Sequence, residues 1–214
     1  MATIITRILN KFRAPALPLA GQNYVTTDEQ QFRNVLRIYF NQIDGAFATL
    51  LDTAGGKFIN FPYGAFSSSQ TQTTTANTAT LMTLNTTDFS NQVSISSSKI
   101  TVANAGIYNL QFSAQLQSTD VAPQDVYIWL KQNGTDIVGS TGVVGLPARK
   151  NPADPFHDIK GWNYFLSMAE NDYVEIYWST TNANVTIPTY AASGTPTKPS
   201  TQSVVATLSF VSSL

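Results

Sequence analysis

GIYNLQFSAQLQ, residues 106–117, sorts its side chains onto two sides. Tyr108, Leu110, Phe112, Ala114 and Leu116 fall on one side of an extended chain, and Asn109, Gln111, Ser113, Gln115 and Gln117 on the other. Alternation this strict predicts a β-strand with one face on a core. The second face is polar without being charged. Burying a paired amide costs far less than burying a charge, so such a face suits contact with other protein. Amides also recognise sugar hydroxyls, and a glycan-facing surface would look similar.

Outward from this strand, residues 58–214 carry β signals throughout. KFINFPYGAF opens a first strand, with Pro62 suited to an edge or a bend. SSSQTQTTTANT reads as a low-complexity surface loop, and ATLMTLNTT and QVSISSSKITV supply short strands. VYIWLKQNGTDIVGS contains Asn133-Gly134, the strongest two-residue hairpin signal. GWNYFLSMAENDYVEIYWSTT predicts a second hairpin, turning at Asn171-Asp172. In it Tyr164, Leu166 and Met168 share one face, as do Val174, Ile176 and Trp178, and Trp162 and Trp178 fall in phase with the core. NVTIPTY and SVVATLSFV close the chain, the latter alternating Val204, Ala206, Leu208 and Phe210. About eight to ten short antiparallel strands imply a mostly β, two-sheet jelly-roll sandwich.

Residues 27–52 form the one convincing helix. Thr27 is placed to cap it, Gln30 completes a capping box, and Asp28 and Glu29 suit the positive first turn. Phe32, Leu36, Tyr39, Ile43, Ala46 and Leu50 follow at spacings of 4, 3, 4, 3 and 4, a heptad seam. Val35, Phe40, Phe47 and Leu51 broaden it beyond a two-stranded seam. Two arrangements use so wide a stripe: a helix packed on its own sheet, or a bundle of more than two sister chains. Gly45 costs about 1 kcal/mol relative to alanine in a helix interior, so this helix needs a partner surface. Gly55-Gly56 ends it.

The chain thus divides into an extended arm (1–26), a helical segment (27–56) and a head (57–214). The arm places Ile4, Ile5, Ile8, Leu9 and Phe12 beside Arg7, Lys11 and Arg13, then continues as APALPLAG, where Pro15 and Pro18 favour extension. The acid-free start imitates a transit peptide but lacks its serine richness. Two readings remain for a segment with no core of its own: an anchor on a larger assembly, or packing along its own domain. Ile4, Ile5, Arg7, Ile8, Lys11, Phe12 and Arg13 are the anchoring candidates.

Composition narrows the function. Hydrophobic residues make up 43% of the 214, enough for a core, while charged residues make up 12%, about half the usual share of roughly 25%. Lys plus Arg is 12 and Asp plus Glu is 13, so no net field favours nucleic acid. No apolar run approaches the roughly 18 residues of a membrane span. Without cysteine, neither a disulfide framework nor a thiolate zinc site is available.

Chemistry is sparse. The only histidine, His157, lies in LPARKNPADPFHDIKG with Asp154 and Asp158, which with it are the nearest approach to a cation site. The simpler reading is that these acids solvate a turn and pair with Arg149, Lys150, Lys160 or an adjacent subunit. Glu175 sits mid-strand between Val174 and Ile176, hence outward beside Tyr173 and Tyr177, with Lys131 as its expected cross-strand partner. Tyr127, Trp129, Tyr173, Glu175 and Tyr177 suit either a subunit interface or carbohydrate stacking. Neither a cofactor nor an enzymatic activity is expected.

KITVANAGIYNLQFSAQLQ resembles the entry to the long core strand in the complement-type globular-head and tumour-necrosis-factor-like superfamily, at Val102, Ala105, Gly106, Tyr108 and Phe112. The Trp129–Gly134 hairpin, NDYVEI and the apolar closing strand follow in that family's order. FRNVLRIYFNQIDG, FPYGAFSSSQTQTTTANT, VYIWLKQNG and YVEIYWSTTNANV also look like virion structural proteins of tailed bacteriophages. The resemblance implies a homotrimeric knob or short fibre on the particle surface, attached to other virion proteins by its N-terminal segment. Phe32, Leu36, Tyr39, Ile43 and Leu50 would then form the oligomer seam. The alternative is a tail-fibre head that recognises a host surface glycan. A collagen-like stem is missing; the helix occupies its place.

Overall fold

The computed structural model describes residues 15–17, 25–51 and 61–213, with side chains of 48–51 excepted. The chain falls into two units, Met1–Asn60 and Phe61–Leu214. In the first, helix α1 spans Thr26–Leu51. Its start differs from the expected capping box. The Val25 carbonyl accepts the amides of Asp28 (3.1 Å) and Glu29 (3.2 Å), so Thr27 stands inside the first turn. Glu29 instead reaches Arg33 one turn on, at 2.8 Å.

The second unit is a β-sandwich. Its strands begin with β1 (Tyr63–Ser68), β2 (Gln72–Thr73), β3 (Thr80–Leu81), β4 (Thr86–Asn91), β5 (Val93–Ser96) and β6 (Lys99–Val102). The long β7 (Gly106–Ser118) leads to β8 (Gln124–Gln132), β9 (Thr135–Asp136) and β10 (Gly142–Leu146). Then come β11 (Phe156–Met168), β12 (Tyr173–Thr180), β13 (Val185–Ile187), β14 (Ser193–Gly194), β15 (Thr197–Lys198) and β16 (Val204–Ser212). One large sheet runs β11–β7–β16–β1–β4, with β13 taking over beside the end of β7 and carrying β2. The other runs β10–β8–β12–β6–β5, with β9 on β8 and β3 on β12. Every pairing between these strands is antiparallel, which is the expected two-sheet sandwich.

The core fills the space between the sheets. From β7 come Tyr108, Leu110, Phe112, Ala114 and Leu116, none more than 5% exposed. Val126, Ile128 and Leu130 of β8 and Val174, Ile176 and Trp178 of β12 are buried in the same core cluster. Burying a side chain of this size contributes about 1.5–3 kcal/mol. Trp178 is fully buried, as its phase predicts. Trp162 is only partly buried, its ring edge-on to Phe112 at 4.8 Å.

Turn chemistry decides the connections. Asn133 (φ 52°) and Gly134 (φ 80°) make the two-residue hairpin between β8 and β9. Ser97 (φ 49°) and Ser98 (φ 63°) do the same between β5 and β6, without the glycine or asparagine that would have announced it. The supposed hairpin at Asn171-Asp172 is not one. β11 pairs with β7 in one sheet, and β12 pairs with β8 in the other. The turn therefore carries the chain across the sandwich, and Leu166 and Val174 enter the core from opposite sides. The Thr-rich loop also departs from expectation. Gln72 within it is buried, its amide bonded to the Thr83 amide and carbonyl and to Ser203 Oγ.

Asp172 organises the crossing turn. Its carboxylate accepts the Ala169 amide (2.8 Å), Asn133 Nδ2 (2.7 Å) and Gln132 Nε2 (2.9 Å), tying the crossing to the β8–β9 hairpin. The Ala169 amide, with Asn133 and Gln132 behind it, lowers the Asp172 pKa from the usual carboxylate value. A carboxylate whose folded pKa is depressed contributes stability above its unfolded pKa, and that contribution disappears as pH falls through the folded pKa. Asp172→Asn should cost about 1 kcal/mol at pH 7, and the gap to the parent should begin to narrow below about pH 4 and close as pH falls through the depressed folded pKa. Urea melts at both pH values check this; an equal gap at pH 7 and pH 3 would show that the charge is irrelevant.

Candidate interaction surfaces

The helix seam is the first surface. Phe32, Leu36, Tyr39 and Ile43 lie half-buried along one line of α1, while Leu50 has its side chain outside the described residues. Beside the seam, Phe40 is 57% and Phe47 58% exposed. These two stand seven residues apart, so they extend the stripe along one flank rather than interrupt it. Tyr39 and Phe40 pack ring to ring at 5.9 Å. The anchoring candidates Ile4, Ile5, Arg7, Ile8, Lys11, Phe12 and Arg13 lie outside the described residues.

The second surface is the outer face of the β8–β12 sheet. The register sets Trp129 opposite Tyr177, Lys131 opposite Glu175 and Tyr127 opposite Ser179. The Trp129 and Tyr177 rings lie 5.8 Å apart, and Trp129 Nε1 donates to Asp136 Oδ1 at 2.7 Å. Lys131 stands opposite Glu175 as expected, yet its ammonium goes elsewhere. It sits 4.4 Å above the Tyr177 ring and 3.4 Å from Asp136. Lys99 likewise covers Tyr173, at 4.3 Å from the ring centre. A cation above a ring keeps its charge partly solvated while gaining about 0.5–1 kcal/mol. Glu175 is 5% exposed, although its strand position points it outward. The sequence predicted its direction but not its burial.

The third surface is the outer face of the other sheet. Register places Phe165, Asn109 and Ser209 in one row, Asn163, Gln111 and Thr207 in the next, and Gly161, Ser113 and Val205 in a third. The amide row of β7 was visible in the sequence. Its neighbours were not, because alternation says which face a residue takes but not which strand lies alongside. Asn109 is 8% exposed, and its Oδ1 has no hydrogen-bond partner among the described residues.

The charged stretch read as one loop disperses its members, because from Phe156 onward it belongs to β11. His157 Nδ1 lies 3.1 Å from the Tyr190 hydroxyl, Asp158 pairs with Lys160 at 2.8 Å, and Asp154 faces Lys150 at 3.7 Å. Burial raises the pKa of Tyr190 above the usual phenol value. Among the described residues, no group of three or more His, Cys, Asp or Glu side chains is arranged to hold a metal ion, and no helix is long and apolar enough to cross a membrane. No protein-family model matches the sequence, and no curated protein matches it well enough to count as a relative.

The Lys131–Glu175 juxtaposition yields a direct test. Lys131→Met keeps the aliphatic stem but removes the ammonium opposite a closed-over carboxylate. We expect a loss of about 1 kcal/mol, only part of it recovered when Glu175→Gln is added, because the ammonium's contacts with Tyr177 and Asp136 are lost in either background. A double-mutant cycle by thermal or urea unfolding reads the coupling; simple additivity would mean that the two groups do not sense each other.

Proposed function

We infer that the chain is a structural protein of a tailed-bacteriophage particle, a homotrimeric knob or short fibre displayed on the surface and anchored through its N-terminal segment. The observation that carries this reading is the apolar stripe of α1. A heptad seam broadened by half-exposed phenylalanines, on a unit separate from the head, suits a bundle of more than two copies. The sparse charge of the whole chain supports extensive contact with other protein. So does the resemblance of FRNVLRIYFNQIDG and YVEIYWSTTNANV to phage virion proteins.

The second reading, a tail-borne head that binds a host surface glycan, is favoured by the Trp129–Tyr177 ring pair with Lys131 and Asp136 beside it. Copy number separates the two: many tens of trimers per particle suit a capsid, and six or twelve suit a tail.

Two measurements test the main reading. Leu36→Asp combined with Ile43→Asp should lower the molar mass seen by light scattering, because a charge in the seam must be desolvated without a partner; unchanged mass and unchanged particle incorporation would remove the seam from the account. Deleting residues 1–26 should leave a folded oligomer that no longer joins particles, and normal incorporation of the truncated chain would refute the anchor.

A further inference from the structure

In heptad terms α1 places Phe32, Tyr39 and Ala46 at d and Leu36 and Ile43 at a. The two flanks of that seam differ in chemistry. On one flank the g positions are Asp28, Val35 and Gln42; on the other the e positions are Arg33, Phe40 and Phe47. Both phenylalanines are more than half exposed, and Asp28 and Arg33 are exposed as well. Among the described residues Arg33 gives only its Nε–H, to Glu29 of its own helix. The two terminal amino groups of its guanidinium are available for a second carboxylate.

We propose that the helices of three copies pack parallel and in register, the g flank of each against the e flank of the next. The inference rests on the trimeric reading above and fixes the direction and stagger of its helices. In a parallel bundle a g residue meets the e residue five positions further along the neighbouring helix. At zero stagger Asp28 therefore meets Arg33 of the next copy, and Val35 meets its Phe40. An acid faces a base, and a half-buried valine faces a ring that one chain alone leaves in water. Each contact joins two different flanks, so it repeats around a three-fold axis and closes into a ring. Other arrangements lose this match. A slide of one heptad moves Asp28 off Arg33 and onto Thr26 or Phe40. An antiparallel pair sets e against e and g against g, and among these positions no acid stands at e and no base at g. An exposed ion pair adds little affinity; like other flank charges it selects direction and register, while the phenylalanines supply the buried area.

Because the chain has no cysteine, a nitroxide label can be attached at one chosen position at a time. Thr27→Cys, Asn34→Cys and Asn41→Cys, made singly in the full-length protein, put it at three exposed f positions one heptad apart, on the side away from the seam. Pulsed double electron–electron resonance, on samples whose light-scattering mass is that of an oligomer, should give one dominant distance. That distance should agree among the three variants to within one helical turn, about 5.4 Å. In an antiparallel pair the axial offset shifts by about 21 Å for each heptad, so no antiparallel register yields three equal distances. Unequal distances, or none within measurable range, from an oligomeric sample would overturn the parallel bundle and leave the oligomeric reading standing. The mass of a single chain would sink both.

Discussion

The ladder between β7 and β11 is the constraint on which the rest of the head depends. It runs register by register from Ser118 opposite Phe156 to Met168 opposite Gly106. On its other side β7 is held by β16 and then by β13. One strand therefore fixes three neighbours, and its inward row forms the middle of the core. Because side chains alternate with period two, a slip of one residue in this ladder would turn Tyr108, Leu110 and Phe112 outward. The apolar row makes that slip prohibitive.

That row was legible in the sequence for the same reason. Tyr108 through Leu116 alternate without a break, and each inward member is buried. Asn133-Gly134 was legible because few pairs accept positive φ at both positions. The crossing at Asn171 was not. Its left-handed φ of 66° serves a hairpin or a change of sheet equally well, and the choice is made by what β11 and β12 find as partners. Ser97-Ser98 hid its turn because serine seldom adopts positive φ. Gln72 hid in a monotonous polar run; only folding reveals that its amide is buried against Thr83 and Ser203.

The candidate surfaces divide along the same line. A seam on one helix is a property of consecutive residues, so its spacing could be read directly. A sheet face is assembled from strands far apart in the chain. Asn109, Phe165 and Ser209 become one row only after folding, and no local pattern joins them. Electrostatics follows suit: Lys131 and Glu175 oppose each other as alternation suggests, but the ammonium settles over Tyr177 and toward Asp136 because both are within reach of its long stem.

The first and last strands of the head, β1 and β16, lie side by side, and the Phe210 amide donates to the Pro62 carbonyl at 3.0 Å. Phe61, just ahead of β1, stacks on Phe210 at 6.1 Å. The polypeptide thus enters and leaves this sandwich at a single doorway. A fold built that way behaves as a cassette: evolution can move it into another chain through one junction, without rethreading anything inside.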